Sequence, residues 1–188
     1  MTAMSVEEEL KELRRELRYV TDRLAILDCV MNQSRGHDRH DIELMASVYH
    51  PDAIDEHGPS VTVGPEYGEQ SNQAHASVFV DHLHNVTTHT CEIDGDEAHC
   101  ESYVIGAMRA RDGKSVFLFG GRYLDRVERR DGVWKIALRR CTLEWTMQGD
   151  TSLLTSGAFT GFIKGTWDRT DPSYARPLTL DKTPVERW

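Results

Sequence analysis

Three short stretches carry side chains that could do chemistry. The first is the polar knot Gly36-His37-Asp38-Arg39-His40-Asp41. Either aspartate there could simply cap a following helix. Asp38 could instead point inward, as a carboxylate that polarises a base. The second is Asp81-His82-Leu83-His84, where one histidine could face an interior and accept a proton near neutrality. The third is Arg139-Arg140 followed by Glu144 and Trp145. Strand parity sends the two arginines to opposite faces, so only one can reach an interior.

Other chemistries find less support. His82 and His84, with His89 and Glu92 further on, would suit a metal if they shared a strand face. However, the preceding helix is expected to run to about His82, which separates the two rings, and no metal is expected. No glycine-rich phosphate loop, Gly-x-Ser-x-Gly elbow or CxxC pattern is present, so no cofactor is expected. A net charge of −9 repels phosphate backbones and anionic lipid, which argues against nucleic acid and membrane surfaces as partners. Arg122, Arg139 and Arg140 could still supply local positive charge. The scattered Cys29, Cys91, Cys100 and Cys141 read as reduced thiols. The N-terminal stretch is charged where a signal peptide needs an apolar core, so a cytoplasmic protein acting on a small molecule is expected.

The elements that must position these residues are α+β in order. Leu10, Leu13, Leu17, Val20, Leu24, Leu27 and Val30 recur at helical steps, which predicts a helix from about 5 to 35, capped by Ser5 and stopped by Gly36. Its first third, nearly all charge and leucine, suggests contact with another subunit. A short helix is expected over about 41–49, a strand over 53–56, and a third helix opened by Gly64-Pro65 and running to about His82. Four long strands then follow, over 85–94, 97–110, 116–130 and 133–148. Asp131-Gly132 is the hairpin turn of the last pair. Arms of that length must twist, so the expected shape is a cone-shaped half-barrel, a curved, mostly antiparallel sheet with short edge strands, covered by three N-terminal helices. Residues 1–148 read as the domain. Residues 149–188 read as an irregular tail on the domain or a neighbour, with a short helix near 155–163.

Several strings resemble the SnoaL-like branch of the nuclear-transport-factor-2-like superfamily. They are His37-Asp38 after the first helix, Val48-Tyr49-His50-Pro51-Asp52-Ala53, and His84 twelve residues before Asp96. Gly121-Arg122-Tyr123-Leu124-Asp125 and Arg130-Asp131-Gly132-Val133-Trp134-Lys135-Ile136 complete the match, which spans about Val20 to Trp145. Enzymes of that branch include scytalone dehydratase, hexachlorocyclohexane dehydrochlorinase and the bile-acid dehydratase. The resemblance implies a cofactor-free Asp-His dyad in an enclosed, mostly apolar pocket, with Asp38 orienting His84 and Arg139 assisting the leaving group. Tyr49, Tyr103 and Trp145 are expected at the substrate. The chain departs from the branch at Gly106, where the bile-acid enzyme carries a strand aspartate, and at Gln33, where a tyrosine or lysine is found. The implied function is a dehydratase-like lyase acting on a small apolar or aromatic molecule. An isomerase or polyketide-type cyclase using the same dyad, and a non-catalytic carrier or assembly subunit, remain open. A homo-oligomer is expected, trimeric by resemblance, with a dimer possible.

Overall fold

The structure, a computed structural model, describes residues 4–180 and 186–188. Helix α1 spans Val6–Asp38. Its start is a capping box: the Glu8 N–H donates to the Ser5 hydroxyl, and the Glu8 carboxylate accepts the Ser5 N–H at 2.8 Å. Glu7, Glu8 and Glu9 complement the positive end of the helix dipole. Ile26, Cys29, Val30, Gln33 and His37 form its buried side.

Gly36 does not stop this helix. A Cβ there would lie 2.6 Å from Met45 Cγ and 3.1 Å from the Met45 backbone nitrogen. The glycine lets α2 (Ile42–Ser47) pack tightly against α1. The chain turns instead at Arg39 and at His40, which adopts a left-handed φ of 49°. Asp41 then caps α2 by accepting the Leu44 N–H at 3.1 Å.

Strands β1 (Tyr49–His57) and β2 (Ser60–Val63) precede α3 (Gly64–Val78), and β3 (Phe79–Asp94), β4 (Glu97–Ala110), β5 (Ser115–Arg130) and β6 (Val133–Asp150) follow it. The sheet order is β2-β1-β6-β5-β4-β3, antiparallel except where β1 runs parallel to β6. Asp131 and Gly132 both take positive φ, 52° and 79°, as a two-residue hairpin turn requires. Register shifts at Val86/His89, Gly120/Gly121 and Arg126/Val127 bend the long strands. The result is the curved, open α+β sheet anticipated above, with the helices on its concave side. A core of Ile26, Cys29, Val48, Ala53, Val127 and Ile136 joins α1 to β1, β5 and β6. Asp22 ties the same layers together, accepting from Trp134 Nε1 at 2.8 Å and from Arg129 at 2.9 Å. All four cysteines are free, three of them buried. No helix among the described residues is long and apolar enough to cross a membrane.

Three boundaries differ from the sequence-based expectation. β1 is longer, because Tyr49 and residues from Ile54 onward pair with β6. α3 ends at Val78, because Phe79, Asp81 and His82 pair with β4 and that ladder outcompetes a further helical turn. The tail forms 3₁₀ turns at Ser152–Thr155 and Pro172–Tyr174 in place of a helix near 155–163.

Gly36→Ala offers a sign test. In an open helix the change stabilises by about 1 kcal/mol. Here it is expected to destabilise by roughly 1–3 kcal/mol through overpacking against α2, read as a lower urea midpoint at unchanged slope.

Candidate functional site

Asp38 sits at the C-terminal end of α1, where the helix dipole disfavours a carboxylate by about 0.3–1 kcal/mol. Its donors more than offset that. The His84 backbone N–H reaches both oxygens, at 2.9 and 3.1 Å, His84 Nδ1 lies 2.7 Å from Oδ1, and His82 Nδ1 lies 3.3 Å from Oδ1. Hydrogen bonds to a charged group are each worth about 1.5–3 kcal/mol. Burial pushes the Asp38 pKa up, yet the histidine bonds win and hold it below the usual carboxylate value.

This network sets the tautomers. A carboxylate only accepts, so both Nδ1 atoms carry the proton. His84 Nε2 is left with its lone pair free. His82 Nε2 is an acceptor as well, and His40 Nε2 donates to it across 3.2 Å.

The shortened α3 puts His82 and His84 on one strand, two residues apart and on the same inner face. His37 from α1 stacks on His84 with ring centroids 4.7 Å apart, and His75 from α3 lies 4.7 Å from His37 and 4.9 Å from His82. Burial disfavours the charged forms of His37, His75 and His40. It drives His37 well below the ordinary imidazole value, His75 to about 3 and His40 to about 4. His82 is lowered too, because burial outweighs the pull of Asp38. Phe119 closes the other side of His84, with ring centroids 5.8 Å apart. A side chain at Gly106 would enter that ring at 2.0 Å, which gives a packing reason for glycine at this position.

The interior continues from the dyad through His37, Tyr67, His57 and Tyr123 to Arg139. Arg139 is fully buried and its Nε and Nη2 donate to Asp125, both at 2.7 Å. Its Nη1 has no partner among the described residues, and neither do the buried atoms Gln33 Oε1, His37 Nε2, His75 Nδ1 and both side-chain polar atoms of Asn72. Buried polar atoms left unpaired are uncommon in folded proteins.

Open space beside the dyad lies in two clefts. One, of about 360 Å³, is bordered by both Asp38 and His84, with Met31, Ser34, Arg35 and Val86 among its walls. The other, of about 480 Å³, reaches His82 and is walled by Leu83, Arg109, Trp167 and Trp188. These walls mix charge with apolar surface, unlike the enclosed apolar pocket that was expected. Tail residues roof them. Asp171 accepts from Arg39 at 3.0 Å, the Tyr174 hydroxyl donates to Asp41 at 2.8 Å, and Trp167 stacks on His40 at 4.0 Å.

The expected site residues separate into three places. Asp38 and His84 are in contact. Tyr49 and Arg139 are interior but engaged elsewhere, Tyr49 donating to Asp55 at 2.6 Å and Arg139 held by Asp125. Tyr103 and Trp145 project from the outer face of the sheet, 42% and 46% exposed, away from the dyad. Parity explains this: Val104 and Gly106 are inward on β4, so Tyr103 and Ile105 are outward, and Trp145 shares the Ile105–Gly120 row. Sequence reasoning missed His75, whose position on α3 carries no motif. It also set His82 apart from His84 by ending α3 too late. With that boundary corrected, one ring nitrogen from each of His37, His75 and His82 lies within 4.8 Å of the other two. That donor set suits a divalent transition metal.

The model of the SnoaL-like domain matches residues 18–140, and the chain belongs to that family. No curated protein sequence matches significantly. Among solved structures, the chain is similar to a hexachlorocyclohexane dehydrochlorinase from Novosphingobium barchaimii, with 23% identity, a TM-score of 0.64, and 71% of this chain and 94% of that one covered. A provisionally named scytalone dehydratase from Novosphingobium aromaticivorans gives 20% identity, a TM-score of 0.62 and coverage of 69% and 88%. A provisionally named aromatic ring hydroxylase from the same organism gives 26% identity, a TM-score of 0.61 and coverage of 70% and 94%.

The contact at Gly106 is testable by a double-mutant cycle. Gly106→Ala is expected to lower stability by roughly 1–3 kcal/mol. The same change in a Phe119→Leu background should cost measurably less, giving a coupling of about 0.5–3 kcal/mol in urea unfolding.

Proposed function

We propose that this protein is a cofactor-free lyase that eliminates a small leaving group from a small apolar or aromatic molecule. The observation that carries the reading is the 2.7 Å contact between Asp38 and His84 Nδ1, which leaves His84 Nε2 as a free base beside a cleft. The likeness to folds that carry dehydrochlorinase and dehydratase names supports the direction.

In this reading His84 Nε2 takes a proton from a carbon next to a carbonyl or an electron-poor ring. The C–H electron pair becomes the new C=C bond, and the leaving group departs with its own bonding pair, as halide, or as water when the departing oxygen takes the proton back from the His84 imidazolium. Asp38 stabilises the imidazolium without taking the proton, as aspartate does in hydrolase triads. Arg139, held by Asp125 at 2.7 Å, borders neither cleft, and no leaving-group role is assigned to it. An isomerase would use the same base and return the proton to another carbon.

A panel of small cyclic β-hydroxy ketones and chlorinated rings, followed by mass spectrometry in deuterated water, tests the proposal. Loss of water or hydrogen chloride supports a lyase, and deuterium uptake without loss supports an isomerase. His84→Ala should reduce turnover by about 10²–10⁴-fold, with circular dichroism unchanged. Asp38→Asn should also cripple it. Turnover that survives both substitutions would sink the reading.

A further inference from the structure

α1 has two apolar sides. Ile26, Cys29, Val30, Gln33 and His37 face the protein's own interior. A second row consists of Val6, Leu10, Leu13, Leu17, Val20, Leu24, Leu27 and Met31, at unbroken steps of four and three residues. At 100° per residue this row lies on nearly the opposite side of the helix from the first. Most of it is open to solvent: Leu13 and Leu17 are 59% and 63% exposed and Met31 is 45% exposed, while Leu27 is half-buried. A strict 3.5-residue apolar repeat over nearly four heptads is the seam of a coiled coil.

The flanking charges select the partner and its direction. With Leu10, Leu17, Leu24 and Met31 as a positions and Val6, Leu13, Val20 and Leu27 as d positions, the g positions are Glu9, Glu16 and Arg23, and the e positions are Arg14, Thr21 and Asp28. In a parallel, in-register assembly each g residue meets the e residue five positions on in the neighbouring helix. Glu9 then faces Arg14, Glu16 faces Thr21 and Arg23 faces Asp28, with no like-charge pair. Leucine at a, with valine at two of the d positions, disfavours a two-stranded coil.

We propose that α1 joins copies of this chain through a parallel, in-register coiled coil of more than two strands along the Val6–Met31 seam. It deepens the expectation of a homo-oligomer and does not depend on the lyase reading.

Disulfide trapping in the full-length protein tests it. A parallel seam brings each d position against its own copy, so Leu13→Cys should cross-link between chains under mild oxidation. Glu12→Cys, one residue off the seam, should not exceed the background from the native thiols. Leu13→Glu combined with Leu17→Lys should lower the mass in light scattering, with the thermal transition of the globular part retained. Reversing Glu9→Arg or Arg14→Glu alone should weaken association, and the pair together should restore it. A monomeric wild type, a dimer, equal cross-linking at residues 12 and 13, or a mass indifferent to the double seam variant would each overturn the proposal.

A separate observation carries a second inference. His37 Nε2 and His75 Nδ1 are both buried without a partner, and a nitrogen of each lies within 4.8 Å of one on His82. Tetrahedral zinc holds imidazole nitrogens at about 2.0–2.1 Å, so closing this triangle needs only small ring movements. His82 would offer Nε2 by releasing His40, and its Nδ1–H on Asp38 is the outer-shell bond that fixes a metal-bound histidine.

We infer that His37, His75 and His82 form a site for a divalent transition ion. Chelator-treated protein titrated with Zn²⁺ against a chromophoric competitor should take up one ion per chain, and Co²⁺ should give tetrahedral visible bands. His75→Ala should weaken uptake at least tenfold while circular dichroism stays the same. His99→Ala, at an exposed surface histidine, should not. Absence of stoichiometric uptake, or equal uptake by the His75 variant, would overturn the site.

Discussion

The Asp38 carboxylate is the constraint on which the site depends. It ends α1, and it is held by the first inward residues of β3, through the backbone and ring of His84 and the ring of His82. These bonds tie the helix layer to the edge of the sheet. They also decide where protons sit. Because the carboxylate can only accept, two imidazoles must present N–H toward it, and their distal nitrogens carry the lone pairs. One network thus joins the layers and fixes the tautomers of both rings.

The interior beyond this network is unusually polar for a small domain. A fully buried Arg139–Asp125 pair, the Tyr49–Asp55 contact and several neutral histidine rings occupy space that aliphatic side chains would otherwise fill. A buried ion pair is weak evidence of stability, since hydrophobic replacements of similar volume often do as well or better. Stability is supplied chiefly by the apolar layer between α1, β1, β5 and β6. The tail, anchored by Asp171 and Trp167, roofs the clefts at the polar knot.

Much of this was legible in the order of residues. The helix repeat, the Asp-Gly turn and the long alternating strands dictate an α+β half-barrel, because each is a local signal with a local cause. Asp38 and an inward histidine at His82 or His84 were legible too, through their setting at the ends of elements, and the choice of His84 came from the family resemblance. Gly36 was misread, since a glycine that permits close packing looks the same in sequence as one that ends a helix. The α3 boundary was misread because pairing with β4 is non-local.

What the sequence determined by itself is therefore the set of elements, their order and the two polar stretches, around Asp38 and around His82-Leu83-His84, that meet in the fold. Periodicity, turn chemistry and charge are short-range properties, and the chain states them directly. Only the tertiary structure decided which face each strand residue occupies. A single register shift inverts parity, so Tyr103 and Trp145 went outward while His82 came inward. It also decided that Arg139 would be held by Asp125, and that His75 would join the other rings. Those outcomes depend on which distant backbones pair and how closely they approach, and no stretch of sequence carries that on its own.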